Sequence, residues 1–168
     1  MDTPVHRGWL YRRFLPPILA LLRTGATPEA LAWSIAVGLA LGINPLVGTS
    51  TILCLAAALL FRLNLAAAQL ANYAAYPLQL LLIVPFIALG SRIFHTAPLP
   101  LSPSEFLAQA RQSPLSLVRQ LWLWEWHAMI VWAAIAAVFI PLLRLALTPI
   151  LRGLTLRMSR RQPITVAD

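Results

Sequence analysis

From Ala30 to Phe61 the chain carries no ionisable side chain except Cys54, yet its middle is interrupted by Gly42-Ile43-Asn44-Pro45-Leu46-Val47-Gly48-Thr49. An uncharged apolar run of this length belongs in lipid. Its two halves, Ala30 to Ile43 and Thr49 to Phe61, would each reach only roughly 20 Å as helices, short of a hydrocarbon core of about 30 Å. Taken as one helix the run would reach roughly 48 Å, more than ordinary tilt absorbs. Pro45 removes a backbone donor and biases Asn44 away from helical angles, while Gly42 and Gly48 permit a sharp reversal. The reading that follows is a re-entrant helical hairpin; one long kinked helix is the alternative. Unwound backbone is tolerated at membrane depth only where it is buried in protein or lines a wet cavity, so a turn carrying Asn44, Thr49, Ser50 and Thr51 is a candidate polar site.

Composition places the rest of the chain in the same environment. Of 168 residues, 60% are hydrophobic and 11% charged, leaving a soluble protein of this size with more apolar surface than it could cover. The class expected is an all-α integral membrane protein of one domain, with no room for an attached soluble catalytic domain. All 13 basic residues are arginine and the net charge is +8. They flank apolar segments, a pattern that fits topology and anionic headgroups better than nucleic acid. The single cysteine, Cys54, excludes an internal disulfide or a thiolate metal cage.

Residues 1–26 read as a retained amphipathic segment on the cytoplasmic surface. Arg7, Arg12 and Arg13 alternate there with Trp9, Leu10, Phe14, Leu15, Ile18, Leu19 and Leu22, and no signal-cleavage pattern follows. Thr27-Pro28-Glu29 supplies an N-cap, a proline at the first helical position and an acid in the first turn, so a helix starts there. Within it Ser34, Gly38 and Gly42 fall four apart and form a small-residue face. That face predicts close approach of another helix, either the hairpin mate through Ala56, Ala57 and Ala58 or a second copy of the chain.

A second apolar stretch starts at Leu65 after Arg62-Leu63-Asn64. Tyr76-Pro77 predicts a break in it near Ala75, with Asn72, Tyr73 and Gln79 close by and Pro85 as a kink before Gly90. Ser102-Pro103-Ser104-Glu105 has the form of a capping box opening a short helix that Ser113-Pro114 ends. The last span, Trp122 to Leu143, begins with Trp122, Trp124 and Trp126 at an aromatic-belt position. Counting a re-entrant hairpin and two crossings, ten arginines share the side of both termini, against Arg92, Arg111 and Arg119 opposite. The positive-inside rule then puts both termini in the cytoplasm of a multi-pass protein. The membrane domain is read as 27–152, with a basic tail at 153–168.

Ser34 to Gly42, Pro45-Leu46-x-Gly48, Arg62-Leu63-Asn64-Leu65 and Tyr76-Pro77-Leu78-Gln79 running to Leu89-Gly90, in this order, resemble the bacterial DUF2062 membrane proteins, with a core at 27–94. Many members carry Asn-Pro where this chain has Tyr76-Pro77. The resemblance implies a bacterial inner membrane location. Related domains joined to glycosyltransferases point toward the cell envelope.

The leading functional expectation is transport or translocation of a small solute or a lipid-linked headgroup through a polar site at the broken helices. The candidate ligand-binding residues are Asn44, Pro45, Gly48, Thr49, Arg62, Asn64, Asn72, Tyr76, Pro77 and Gln79. Amides and hydroxyls would bind by hydrogen bonds, half-helix N-termini would favour an anion, and Arg62 would draw a phosphate to the entrance. The competing expectation is a non-catalytic scaffold or regulator of an envelope glycan or lipid assembly enzyme, consistent with the absence of acids deep in a span. Expected partners are anionic lipid headgroups, a second copy through Ser34, Gly38 and Gly42, or such an enzyme. No catalytic residue, metal ligand or cofactor is expected: Glu125 and His127 are two apart and point to different sides of a helix, and His6 and His95 are isolated.

Overall fold

The computed structural model describes residues 26–96 and 102–159, together with Pro16 and Ala20. The amphipathic segment expected before Ala26 and the tail beyond Ser159 therefore lie outside the described residues. Those described form five helices and no strand: α1 (Pro28–Gly42), α2 (Ser50–Leu60), α3 (Leu65–Ile93), α4 (Pro103–Gln112) and α5 (Pro114–Ser159). α3 and α5 are long and apolar enough to cross a membrane, whereas α1 and α2 are shorter apolar helices.

The hairpin is built by local chemistry. Thr27 Oγ1 accepts from the Ala30 N–H at 3.2 Å, and Pro28 occupies the first turn, so α1 begins where the cap permits. At its other end three of the carbonyls that the helix leaves free find a donor. Ile43 N–H reaches Leu39 O, the Asn44 backbone and side-chain amides both reach Leu41 O, and Trp132 Nε1 of α5 donates to Ala40 O at 2.9 Å. Pro45 then bars further helix. Gly48 sits at φ +87, a left-handed angle that a side chain disfavours, and the chain reverses into α2.

Contacts give the direction of each helix. Leu31 and Ala32 near the start of α1 pack with Ala67 of α3 and Leu151 of α5, while Phe86 of α3 packs with Ala128 and Val131 of α5. Hence α1 and α3 run parallel, and α5 returns antiparallel to both. The small-residue stripe is the seam between α1 and α3. A Cβ on Gly38 would lie 2.2 Å from Ala68 O, and one on Gly42 would lie 2.7 Å from both Asn72 O and Ala75 Cβ. The stripe thus seats α3, and not Ala56 to Ala58 of the hairpin mate. Ser34 is fully buried, and Gly38 and Gly42 are buried within one chain.

Two expected breaks do not occur. α3 continues through Pro77 and Pro85, and α5 continues through Pro141 and Pro149 past the predicted end at Leu143. A proline inside a helix deprives one carbonyl of its donor, but stopping the helix there would strand several more in an apolar setting. Pro77 lies on the exposed face of α3, opposite the seam residues Ala68, Asn72, Ala75 and Gln79, so its ring disturbs no packing. Arginine is a good helix former, and Arg144, Arg152 and Arg157 extend α5 without terminating it. The short helix opened by Ser102 and stopped before Pro114 is found as expected, with Phe106 N–H on Ser102 O at 3.1 Å.

The interior and exterior compositions are inverted relative to a water-soluble bundle. Alanine is the commonest buried residue, and Ser34, Asn44, Ser50, Asn72, Gln79 and Ser91 are buried with it, while Ile52, Leu59, Leu60, Leu81, Trp122 and Leu145 are each about two-thirds or more exposed.

Candidate functional site

Register along the seam sets the depth of the hairpin turn. Gly38 meets Ala68, Gly42 meets Asn72 and Ala75, and the Asn44 carbonyl accepts from Gln79 Nε2 at 2.8 Å. Gln79 stands at the middle of α3, about 21 Å from either end at 1.5 Å per residue. The turn therefore stops halfway along the longer helix.

Asn44 and Gln79 are fully enclosed at that level, and Asn72, about 10 Å nearer the start of α3, is 2% exposed. Backbone carbonyls fix which way each points. Asn44 Nδ2 donates to Leu41 O at 2.7 Å, and Gln79 Nε2 donates to Asn44 O. Gln69 Nε2 donates to Thr51 O at 3.2 Å, which turns its Oε1 toward Asn72 Nδ2 at 3.3 Å. A carbonyl cannot donate, so every amide N–H₂ is committed to a protein acceptor. What remains without a protein partner is a set of acceptors: Asn44 Oδ1, Asn72 Oδ1 and Gln79 Oε1. Each such oxygen costs about 1–3 kcal/mol when left unsatisfied.

Asn72 also lines a half-open cavity of about 340 Å³ with Gly48, Ser50, Thr51, Tyr73 and Tyr76. This cavity lies at the N-terminus of α2. Thr49 gives that helix no side-chain cap: its backbone is already helical (φ −95, ψ −16) where a capping residue is extended, and its hydroxyl donates to Leu46 O at 2.8 Å. The first-turn N–H groups have no partner within the helix and carry the positive end of its dipole.

The remaining sequence candidates fall elsewhere. Pro45 is buried in the turn, and Pro77 lies on the outer face of α3. Arg62 sits at φ +54 beyond the far end of α2, about 16 Å of helix from the turn, so it stands at the open end of the hairpin and not at the amides. Asn64 beside it is a structural cap: its Oδ1 accepts from Ala67 N–H at 3.0 Å, and its own N–H donates to Ser34 Oγ at 2.8 Å. The sequence reading passed over Gln69 and Trp132. Gln69 had a signal in its three-residue spacing from Asn72, whereas Trp132 had none, since its carbonyl partner is 92 residues away.

A larger apolar groove, about 960 Å³, has Leu46 of the turn at one wall and Ile87, Leu115, Trp122, Trp124 and Glu125 among its other lining residues. Glu125 faces this groove, while His127 stacks on Phe94 with ring centroids 4.3 Å apart. No group of three His, Cys, Asp or Glu side chains able to hold a metal occurs among the described residues.

A helical hairpin ending against the middle of a long apolar helix, with a second long apolar helix covering it, defines an all-helical protein of bilayer-crossing dimensions. The chain belongs to the family DUF2062, described as an uncharacterized protein conserved in bacteria, whose model matches residues 11–156. No curated protein and no solved structure matches it.

Proposed function

We propose that this protein is a multi-pass bacterial inner-membrane protein that passes a small polar solute or a lipid headgroup along the polar site at the hairpin turn. The observation that carries the reading is the burial of Asn44 and Gln79 midway along α3, with buried Asn72 about 10 Å nearer its start. In a bilayer that position is mid-depth, where polar groups are retained at cost and mark ligand paths. The membrane setting is supported by the exposure of large apolar side chains: only 28% of the most apolar window of α3, and 11% of that of α5, is buried. A core helix of a soluble protein would be mostly enclosed. α1 and α2 then form a re-entrant hairpin, entering and leaving on one face.

Charge supports an orientation. Arg62, Arg144, Arg152 and Arg157 lie toward the open end of the hairpin, whereas Arg92, Arg111 and Arg119 lie at or beyond the opposite end of α3. Under the positive-inside rule the hairpin enters from the cytoplasm, and both termini are cytoplasmic.

Purified protein in lipid vesicles tests the transport reading with three probes: glycerol, inorganic phosphate and phosphatidylglycerol labelled on its acyl chain. Flux of at least one above protein-free vesicles is expected, falling in Asn72→Leu. Background flux of all three from folded protein would refute transport. That result would favour the second reading, a non-catalytic scaffold for an envelope glycan or lipid assembly enzyme, for which the apolar groove beside Trp122 is the surface in favour.

A further inference from the structure

The apolar groove beside Leu46 is a consequence of where the hairpin stops. Toward the open end α1 and α2 pack beside α3 and α5, whereas past the turn only α3 and α5 continue through the layer. The step left at Leu46 is the groove of about 960 Å³, lined by Ile87 of α3 and by Val118, Trp122 and Trp124 of α5. Resting on the membrane setting of the reading above, we propose that this groove holds one anionic phospholipid, with its phosphate on Arg119 and an acyl chain running inward to Leu46.

The placement of charge selects the occupant. Two lining residues are ionisable, Arg119 and Glu125, six residues or about 9 Å of helix apart. α5 runs antiparallel to α3, with Ala128 and Val131 beside Phe86, so Arg119 lies beyond the end of α3 and Glu125 lies deeper. Trp122, 68% exposed and one turn in from Arg119, marks the aromatic level between headgroups and hydrocarbon. A guanidinium at headgroup depth pairs with two phosphate oxygens, and the acid beneath it disfavours an anion any further in. The rest of the lining, Ser116 apart, is apolar. That is the polarity of an anionic amphiphile standing head outward.

Other occupants match less of this pattern. A second copy in the same membrane orientation, related by a twofold axis along the membrane normal, would set Arg119 against Arg119 and Glu125 against Glu125 at equal depth. An apolar helix of another protein would cover the trough and offer Arg119 no anion. The volume stands near the top of the range of about 300–1,000 Å³ for ligand pockets, which suits a long chain better than one small solute. An acyl chain also has no polar backbone to satisfy, and it restores the dispersion contacts that an empty apolar step forfeits.

Full-length protein purified in mild detergent and offered equimolar phosphatidylglycerol and phosphatidylethanolamine tests the stoichiometry, with retained lipids counted by native mass spectrometry. Phosphatidylglycerol carrying a mid-chain diazirine then locates the site in vesicles, through the peptides that it labels on irradiation. One phosphatidylglycerol per chain is expected, with labelling concentrated at Leu46, Ile87 and Trp124 over Leu80 and Leu81, which are exposed elsewhere on α3. Arg119→Ala should weaken retention about tenfold, the loss of one charge-assisted pair. Val118→Trp, at a wall position 62% exposed, should block labelling at Leu46 without disturbing the core.

Equal labelling of Leu81 and Leu46 with no lipid retained would overturn the proposal, since lipid would then only surround the protein. A fatty acid retained in place of the phospholipid, or a dimer that Val118→Trp dissolves, would overturn it too, while the membrane reading stood. Release of the protein from membranes by alkaline carbonate would overturn both.

Discussion

Asn64 caps α3 and Asn72 lies two turns into it, yet the side-chain oxygen of the first is bonded and that of the second is not. At the open end of the hairpin, Asn64 caps α3 with its side chain and donates its backbone N–H to Ser34, whose own hydroxyl donates to Ala30 O at 2.7 Å. At the turn, Asn44, Asn72 and Gln79 are equally or more deeply buried, and each keeps one oxygen unsatisfied. The packing is continuous between the two regions, through Gly38 on Ala68 and Gly42 on Asn72. Poor fit therefore does not explain the contrast. The open end shows polar residues holding helices together, and the turn shows polar residues held in place by helices.

The largest effect is expected where the seam is tightest. Gly38→Leu forces a side chain into the Ala68 carbonyl and should separate α1 from α3, giving aggregated protein on size exclusion. Gly48→Ala, by contrast, meets no atom and bears only the left-handed φ, about 1–2 kcal/mol, so it should remain monodisperse with a lowered Tm.

The two asparagines should next respond in opposite senses. Asn64→Ala removes a cap and should cost about 1 kcal/mol, read as a lower Tm with vesicle flux intact. Asn72→Leu replaces an unsatisfied buried acceptor with an apolar group of similar size, so Tm should hold or rise while flux falls. A Tm drop for Asn72→Leu as large as that for Asn64→Ala would erase the distinction between the two regions.

Trp132→Phe keeps an aromatic side chain but is smaller and takes the N–H from Ala40 O, and should lower stability by at least about 1 kcal/mol in thermal melts.

The smallest effect belongs to Glu29, whose carboxyl is paired with Arg152 at 2.6 Å at the open end. A backbone hydrogen bond and then Arg152 hold it below the ordinary carboxylate value of 4.5. Its contribution is present above that value and is lost as pH falls below it. The pair is exposed and screened by salt, so acidification through this range should lower Tm more in wild type than in Glu29→Gln, by a small margin that shrinks at high ionic strength.

Much of the hairpin was legible because its signals are local. Thr27-Pro28 starts α1, Asn44-Pro45 ends it, and Gly48 turns the chain, each through bonds spanning at most four residues. The misread elements depend on partners distant in sequence. Pro77 reads as a breaker until its face of α3 is known to be the outer one. The arginines after Leu143 read as the end of a span, although α5 runs on as helix past them to pack Leu151 on Leu31. The small-residue stripe announced a close neighbour without saying which.

Of the candidate site, the amides at 44, 72 and 79 were visible as polar residues near breaks. That all three keep a buried acceptor without a protein partner was not, because it follows from Gln79 reaching a carbonyl 35 residues away and Gln69 reaching one 18 residues away.

The central claim is that the turn is wet while the apolar surfaces around it face lipid. It is tested most directly by cysteines placed singly at Gly48, Asn72 and Ile52 on a Cys54→Ala background, in native membranes with impermeant thiol reagents added from each side. Ile52 is 69% exposed and starts the same helix that walls the cavity, so it separates exposure to water from exposure to lipid. Labelling at Gly48→Cys and Asn72→Cys with protection at Ile52→Cys is the predicted result. Protection at all three, or labelling at all three, would contradict the account.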